Sequence, residues 1–264
     1  MVFTDQLNRT LTLSSYPKRI ISLVPSQTEL LYHLGLDNEI IGITKFCIYP
    51  VDWKNKKTII GGTKNFKIDI IKQLNPDLII ANKEENDENA LKKLMNNYPV
   101  WISNITCLED AFQMILSIGR ITNRNSESFT WVDKIRKQFK ILSLLPKQTL
   151  KVAYFIWNNP LMSINDDTFI HSMLEINQWQ NCFKNKQDRY PEITDEELVA
   201  KSPEIVFLSS EPYPFKDKHM DRFKQLLPKS QVILVNGEYF SWYGSRLVDS
   251  PAYFSSLHKS LLTN

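Results

Sequence analysis

The sequence predicts an α/β protein of two similar lobes, each built on a mostly parallel sheet, joined by a single long backbone helix. Three observations carry that expectation. A helix–proline–acid–strand pattern occurs twice, about half a chain apart: Asp69 stands seven residues before Pro76, which is followed by Asp77 and the apolar run 78–80, and Glu196 stands seven before Pro203, followed by Glu204 and the apolar run 205–207. A second apolar strand follows each copy, at 100–102 and at 232–235. Between the copies lies one long amphipathic stretch, in which Phe129, Val132, Ile135, Phe139, Leu142 and Leu145 recur at steps of three and four residues until Pro146.

In chain order, residues 3–13 alternate loosely and read as an initial strand or hairpin. The apolar centre of 17–25 reads as a strand stopped by Pro25, and a helix follows to Gly35, with Ser26 or Thr28 as its cap and Leu30, Leu31 and Leu34 as its stripe. Residues 40–43 form the next strand. Helices at 69–74 and 87–97 alternate with strands at 78–81 and 100–103, the order expected of a parallel sheet covered on both faces. A helix at 108–121 breaks at 122–125, and Ser126 caps the long one; from 127 to 145 it would span about 28 Å at ~1.5 Å per residue. A strand at 151–156, a helix at 168–175 and the second repeat complete the order. The implied domains are an N-terminal lobe at 1–125, the linking helix at 126–146 and a C-terminal lobe at 147–264. A boundary inside a helix should restrict opening and closing.

Composition narrows the function classes. A net charge of only +3, with both signs mixed throughout, offers no phosphate-tracking surface, so nucleic acid is not an expected partner. Cys47, Cys107 and Cys182 are odd in number and widely spaced, which fits buried thiols better than a disulfide framework or a zinc site. His33, His171, His219 and His258 are scattered and read as packing residues. There is no His-Glu-x-x-His, no Gly-x-Ser-x-Gly and no complete phosphate loop, so no catalytic residue, metal ligand or cofactor is expected. The charge run 83–88 reads as a solvated loop or helix start. The N-terminus shows neither a basic segment nor an apolar one of the export type, and no apolar run approaches the ~20 residues that cross a bilayer.

The segment Pro17-Lys-Arg-Ile-Ile-Ser-Leu-Val-Pro-Ser-Gln-Thr-Glu29, the two proline–acid–strand units and the long helix between them resemble the helical-backbone solute-binding proteins, the ABC-transporter receptors for cobalamin, haem and ferric siderophores. The likeness runs over residues 5–254 and is nearest to the cobalamin branch. It implies a non-enzymatic, monomeric receptor that holds a corrinoid, haem or ferric-siderophore-like ligand in a shallow cleft between lobes. It also implies docking on an ABC permease dimer through one carboxylate per lobe, the roles that fall here on Asp69 and Glu196. The family works in the periplasm or envelope; without an export segment, a cytosolic carrier or sensor derived from it is the alternative, and a metalloenzyme on a related layout a more distant one.

Loops that follow strands are where such folds place their ligands. They offer Phe46 and Tyr49 in the N-terminal lobe, and Trp157, Tyr190, Glu211, Tyr239, Trp242 and Arg246 in the C-terminal one. At two N-lobe positions where the cobalamin receptors carry tryptophan, this chain has Thr63 and Asn82. The segment 239–243 packs four aromatics into five residues shortly before Arg246, flat surfaces beside one cation that would suit a planar macrocycle bearing amides or carboxylates.

Overall fold

The computed structural model describes residues 1–262. The chain forms two compact units. The first comprises Met1–Ile105, Glu109–Arg136 and Tyr243–Val248; the second comprises Thr106–Leu108, Lys137–Trp242 and the segment from Asp249 onward.

Unit 1 opens with an antiparallel hairpin of β1 (Val2–Thr4) and β2 (Thr10–Thr12). Its sheet is built from β3 (Ile20–Ser22), β4 (Ile40–Ile43), β5 (Thr58–Ile59), β6 (Leu78–Asn82) and β7 (Val100–Ser103), in the order β5-β4-β3-β6-β7 with every pair parallel. Helices α1 (Pro25–His33), α2 (Trp53–Lys56), α3 (Ile68–Leu74), α4 (Glu88–Met95) and α5 (Leu108–Ile121) connect or flank these strands. Helix α1 starts at Pro25, whose fixed φ and missing N–H suit the first turn. The expected caps Ser26 and Thr28 therefore lie inside the helix, and Thr28 turns its hydroxyl back to the carbonyl of Val24 at 2.9 Å. Asp87 caps α4 by accepting the Ala90 N–H at 2.8 Å. Strands β3, β6 and β7 are buried on both faces, which is why they read as apolar runs.

Helix α6 (Asn125–Ser143) is the long amphipathic one, and its residues divide between the units at 136/137. It begins one residue before the expected cap Ser126 and ends two before Leu145. Val132, Ile135, Phe139 and Leu142 are buried, whereas Phe129 is exposed.

Unit 2 contains a four-stranded sheet in the order β11-β8-β12-β13, again all parallel, from β8 (Leu150–Phe155), β11 (Trp179–Asn181), β12 (Ile205–Ser209) and β13 (Gln231–Val235). A short antiparallel ribbon joins β9 (Trp157–Asn158) to β10 (Leu161–Met162). Helices α7 (Phe169–Ile176), α8 (Asp195–Lys201), α9 (Asp217–Leu226), α10 (Glu238–Ser241) and α11 (Ser250–Leu262), with a 3-10 turn at Ser245–Val248 that belongs to unit 1, complete the chain. Phe155, Phe183, Leu198, Phe207 and Phe223 are among the residues that fill this unit's interior.

The repeat is a structural one. In unit 1 it is α3-β6-α4-β7, and in unit 2 α8-β12-α9-β13. Each first helix ends in a left-handed residue before the proline, Asn75 at φ 43° and Ser202 at φ 45°. The proline disfavours right-handed helical geometry in its predecessor, so neither helix continues through it. The acid after each proline does the same job twice: Asp77 accepts the N–H groups of Lys18 and Arg19 at 2.8 and 2.9 Å, and Glu204 accepts that of Lys151 at 2.8 Å. Each carboxylate thus holds the chain at the start of the neighbouring strand, β3 or β8.

Candidate functional site

In a parallel sheet the loops beyond the strands' C-terminal ends are free to carry function. In unit 1 these loops receive a further piece of chain, 243–248. Arg246 places Nε at 3.0 Å and Nη2 at 2.6 Å from the two carboxylate oxygens of Glu29 on α1, a bidentate pair whose side chains are 12% and 10% exposed. The Tyr49 ring lies 4.1 Å from the guanidinium carbon, within cation–π range. Tyr243 donates its hydroxyl to Glu85 at 2.7 Å. Burial first, and then the Glu85 carboxylate, push its pKa well above the ordinary phenol value, so it remains a donor. Ser245 and His33 meet at 2.8 Å. Gly244 has no room for a side chain: an added Cβ would sit 2.6 Å from the Ser26 carbonyl oxygen.

Phe46 is half exposed, with its ring edge against Gly62 and the Lys45 ammonium 4.9 Å from its centre. Phe46, Tyr49 and Arg246 therefore all belong to unit 1, whereas Arg246 was expected in the C-terminal lobe. Its guanidinium is paired with Glu29.

Asn82, expected as a ligand contact, makes its hydrogen bonds within the protein. It is 2% exposed, and its amide is fully engaged: Oδ1 accepts the Glu84 and Glu85 N–H groups at 2.8 and 3.0 Å, and Nδ2 donates to the Ser103 hydroxyl at 3.0 Å. Asn86 answers by accepting the Asn82 N–H at 2.8 Å and donating to the Thr63 carbonyl at 2.9 Å. The pair shapes the 82–86 loop, and Thr63 enters through its backbone carbonyl with an intermediate exposure.

In unit 2, Trp157 is 40% exposed and stands edge-on to Tyr213 at 5.6 Å. The Tyr213 hydroxyl lies 3.1 Å from His219 Nε2, and Asn158 reaches it from β9 at 3.4 Å. Glu211 accepts the Ser241 hydroxyl at 2.5 Å and the Trp242 indole N–H at 3.0 Å. Tyr190, half-buried, follows Arg189, which bonds Asp167 at 2.8 Å.

The aromatic run 239–243 is mostly a packing device. Tyr239 stacks on Tyr253 at 4.5 Å and 19°, Phe240 is fully buried, and Trp242 and Tyr243 are nearly so. The short helix α10 turns Tyr239, half-buried, onto Tyr253 of α11, and Trp242 donates its indole N–H to Glu211. Trp157, with the half-buried Tyr213 beside it, supplies exposed aromatic surface in this unit. Glu29 and Glu85 escaped the sequence reading. Glu29 had a detectable signal, a lone carboxylate on an otherwise uncharged helix face; Glu85 was hidden in a charge run.

Asp69 and Glu196 occupy the second position of their helices, α3 and α8. Asp69 points into solvent, 3.9 Å from Lys72. Glu196 is also exposed, and hydrogen bonds from its own backbone N–H and from Thr194 hold its carboxyl below the usual range. Among the described residues no cluster of three or more His, Cys, Asp or Glu could hold a metal, and no helix is long and apolar enough to cross a membrane.

A family profile described as periplasmic binding protein matches residues 20–227. A vitamin B12-binding protein of Vibrio parahaemolyticus is 26% identical over 203 residues, which is 75% of this chain and 74% of that one. An uncharacterized ABC transporter substrate-binding lipoprotein of Bacillus subtilis is 25% identical over 212 residues, 76% of this chain and 67% of that one. The crystal structure of the periplasmic vitamin B12 binding protein of Vibrio cholerae superposes with a TM-score of 0.81 at 19% identity, covering 94% of this chain and 99% of the other. A catecholate-siderophore binding protein of the same organism gives a TM-score of 0.80 at 12% identity, covering 97% and 99%. The duplicated parallel-sheet units, the helix shared between them and the profile match place this chain in the periplasmic binding protein family.

Proposed function

We propose that the protein is the substrate-binding component of an ABC importer and carries a corrinoid or an iron chelate, without itself being an enzyme. The observation that supports this most is the placement of aromatic rings and polar groups on strand-end loops of each unit: the exposed Phe46 with the half-buried Tyr49 in unit 1, and the exposed Trp157 with Asn158 and the half-buried Tyr213 in unit 2. Ring faces suit a flat macrocycle, and neutral polar groups suit its amide fringe. Arg246 is already compensated by Glu29, which favours an amide-rich corrinoid over a ligand whose carboxylates would need an uncommitted cation. Two of the proteins named above are vitamin B12-binding proteins and one is a siderophore-binding protein, in line with this reading.

Titration calorimetry with cyanocobalamin, cobinamide, haem and a ferric siderophore tests it. At least one should bind with Kd below about 100 μM, and failure of all four overturns the proposal. Delivery is read on Asp69 and Glu196, one exposed acid at the same helix position in each unit. Reversing both, Asp69→Lys with Glu196→Lys, should leave cargo affinity within twofold and abolish stimulation of the permease ATPase. Unchanged stimulation removes the docking assignment.

A further inference from the structure

We infer that unit 2 carries a second binding site, for a multiply charged oxyanion of the phosphate class, beside the edge strand β11. A cavity of about 310 Å3 is lined there by Lys151, Gln180, Asn181, Cys182, Lys184 and Lys201. The topology brings the three lysines together from distant parts of the sequence. Lys151 is the cross-strand partner of Gln180, so both side chains leave the sheet on one face. Lys184 follows β11, and Lys201 closes α8.

The charged residues that line the cavity are all lysines. No carboxylate lines it, and among the described residues none lies within 4.0 Å of the three ammonium groups. Two acids stand outside the lining: Glu204, which holds the Lys151 backbone N–H and acts on the Cys182 thiol, and Glu197, which pairs with Lys186, accepts the Thr194 N–H and feels the Lys201 charge. Cys182 does not offset the lysines. Burial, helped by the nearby Glu204 carboxylate, pushes its thiol up to about 11 against the pull of Lys201 and Lys151, so it is neutral at pH 7. A second cavity of about 300 Å3 on the same strand shares Gln180, Asn181 and Lys184 but includes Glu175, so it lacks this uniform charge.

Three ammonium groups around one cavity repel each other. A central anion converts that repulsion into attraction, and compact ammonium charges suit phosphate oxygens. The Gln180 amide adds a hydrogen-bond donor on the same wall. Lys151 lies near the start of β8 and Lys201 just before the turn into β12, whereas the cargo loops follow the strands' far ends. The site is therefore independent of the cargo proposal and can stand if that one falls.

Titration calorimetry with sodium pyrophosphate, in low-salt buffer and without cargo, is the test. One pyrophosphate per chain should bind with Kd below about 1 mM, and the double variant Lys184→Ala/Lys201→Ala should raise that Kd at least tenfold without moving the melting temperature. Both lysines are exposed, so the fold should survive their loss. Should the double variant melt lower, the single variant Lys184→Gln replaces it, with a threefold rise expected. Absence of binding up to about 10 mM, or variants that miss these thresholds, overturns the inference.

Discussion

At the scale of single residues, the Glu29–Arg246 pair is the feature with the largest consequence. Two charges that are only about a tenth exposed compensate each other, so removing one strands its partner. Glu29→Gln is expected to cost about 3 kcal/mol in urea denaturation, and replacing both by leucine should cost less than the single change. A second residue-scale prediction concerns pH. His258 is buried against Trp179, with its Nε2 3.1 Å from the Asn177 carbonyl oxygen, and burial lowers its pKa from 6.5 to about 4. The folded state therefore resists the proton that the unfolded chain accepts. His258 contributes its full stability above about pH 6.5, and that contribution is lost as pH falls from about 6.5 to about 4. The denaturation midpoint should fall across this window in the native protein, and His258→Gln, which keeps a donor toward Asn177, should flatten that slope.

Among the elements, α8 shows how a short helix is held in place. Thr194 accepts the Glu197 N–H at 3.2 Å while Glu197 reaches back to the Thr194 N–H at 3.3 Å, a reciprocal cap. Thr194→Ala should destabilise the protein by about 1 kcal/mol. It should also let the Glu196 carboxyl rise toward its ordinary pKa, since Thr194 is one of the groups that hold it down. Carboxyl chemical shifts followed through a pH titration would report both members of this cap. Helix α3, whose N-cap Lys67 makes no side-chain cap bond, offers Asp69 no such support. The two acids expected to meet one partner are thus equivalent in position and different in how firmly they are held.

For the whole molecule, the consequence lies in chain connectivity. Neither unit is a continuous stretch: the chain leaves unit 2 after Trp242, gives Tyr243–Val248 to unit 1, and returns at Asp249. A fragment of residues 1–136 would hold most of unit 1 yet leave Glu29 and Glu85 without Arg246 and Tyr243. Such a fragment should lack a cooperative thermal transition by circular dichroism, and adding a 240–250 peptide should restore part of it. A fully cooperative fragment would show that this segment is dispensable for unit 1.

Much of the architecture was legible in the residues because it rests on local chemistry. The prolines at 76 and 203, the acids that follow them and the apolar runs 78–80 and 205–207 dictate helix end, strand start and parallel burial within a dozen residues. The same holds for the 108–121 helix and for Asp69 and Glu196 as matched surface acids. Short elements such as β5 and β11 were not legible, since two or three residues carry too little periodicity and their pairing comes from neighbours far along the chain. The candidate site was decided by tertiary structure. Composition showed four aromatics at 239–243 and a cation at 246; only packing determined that Phe240, Trp242 and Tyr243 are buried, that Asn82 is consumed by its own loop, and that Arg246 is paired with Glu29 from more than two hundred residues away. The physical reason is range: capping, proline sterics and strand periodicity act between neighbours in sequence, whereas burial and charge compensation depend on which distant side chains the fold brings together.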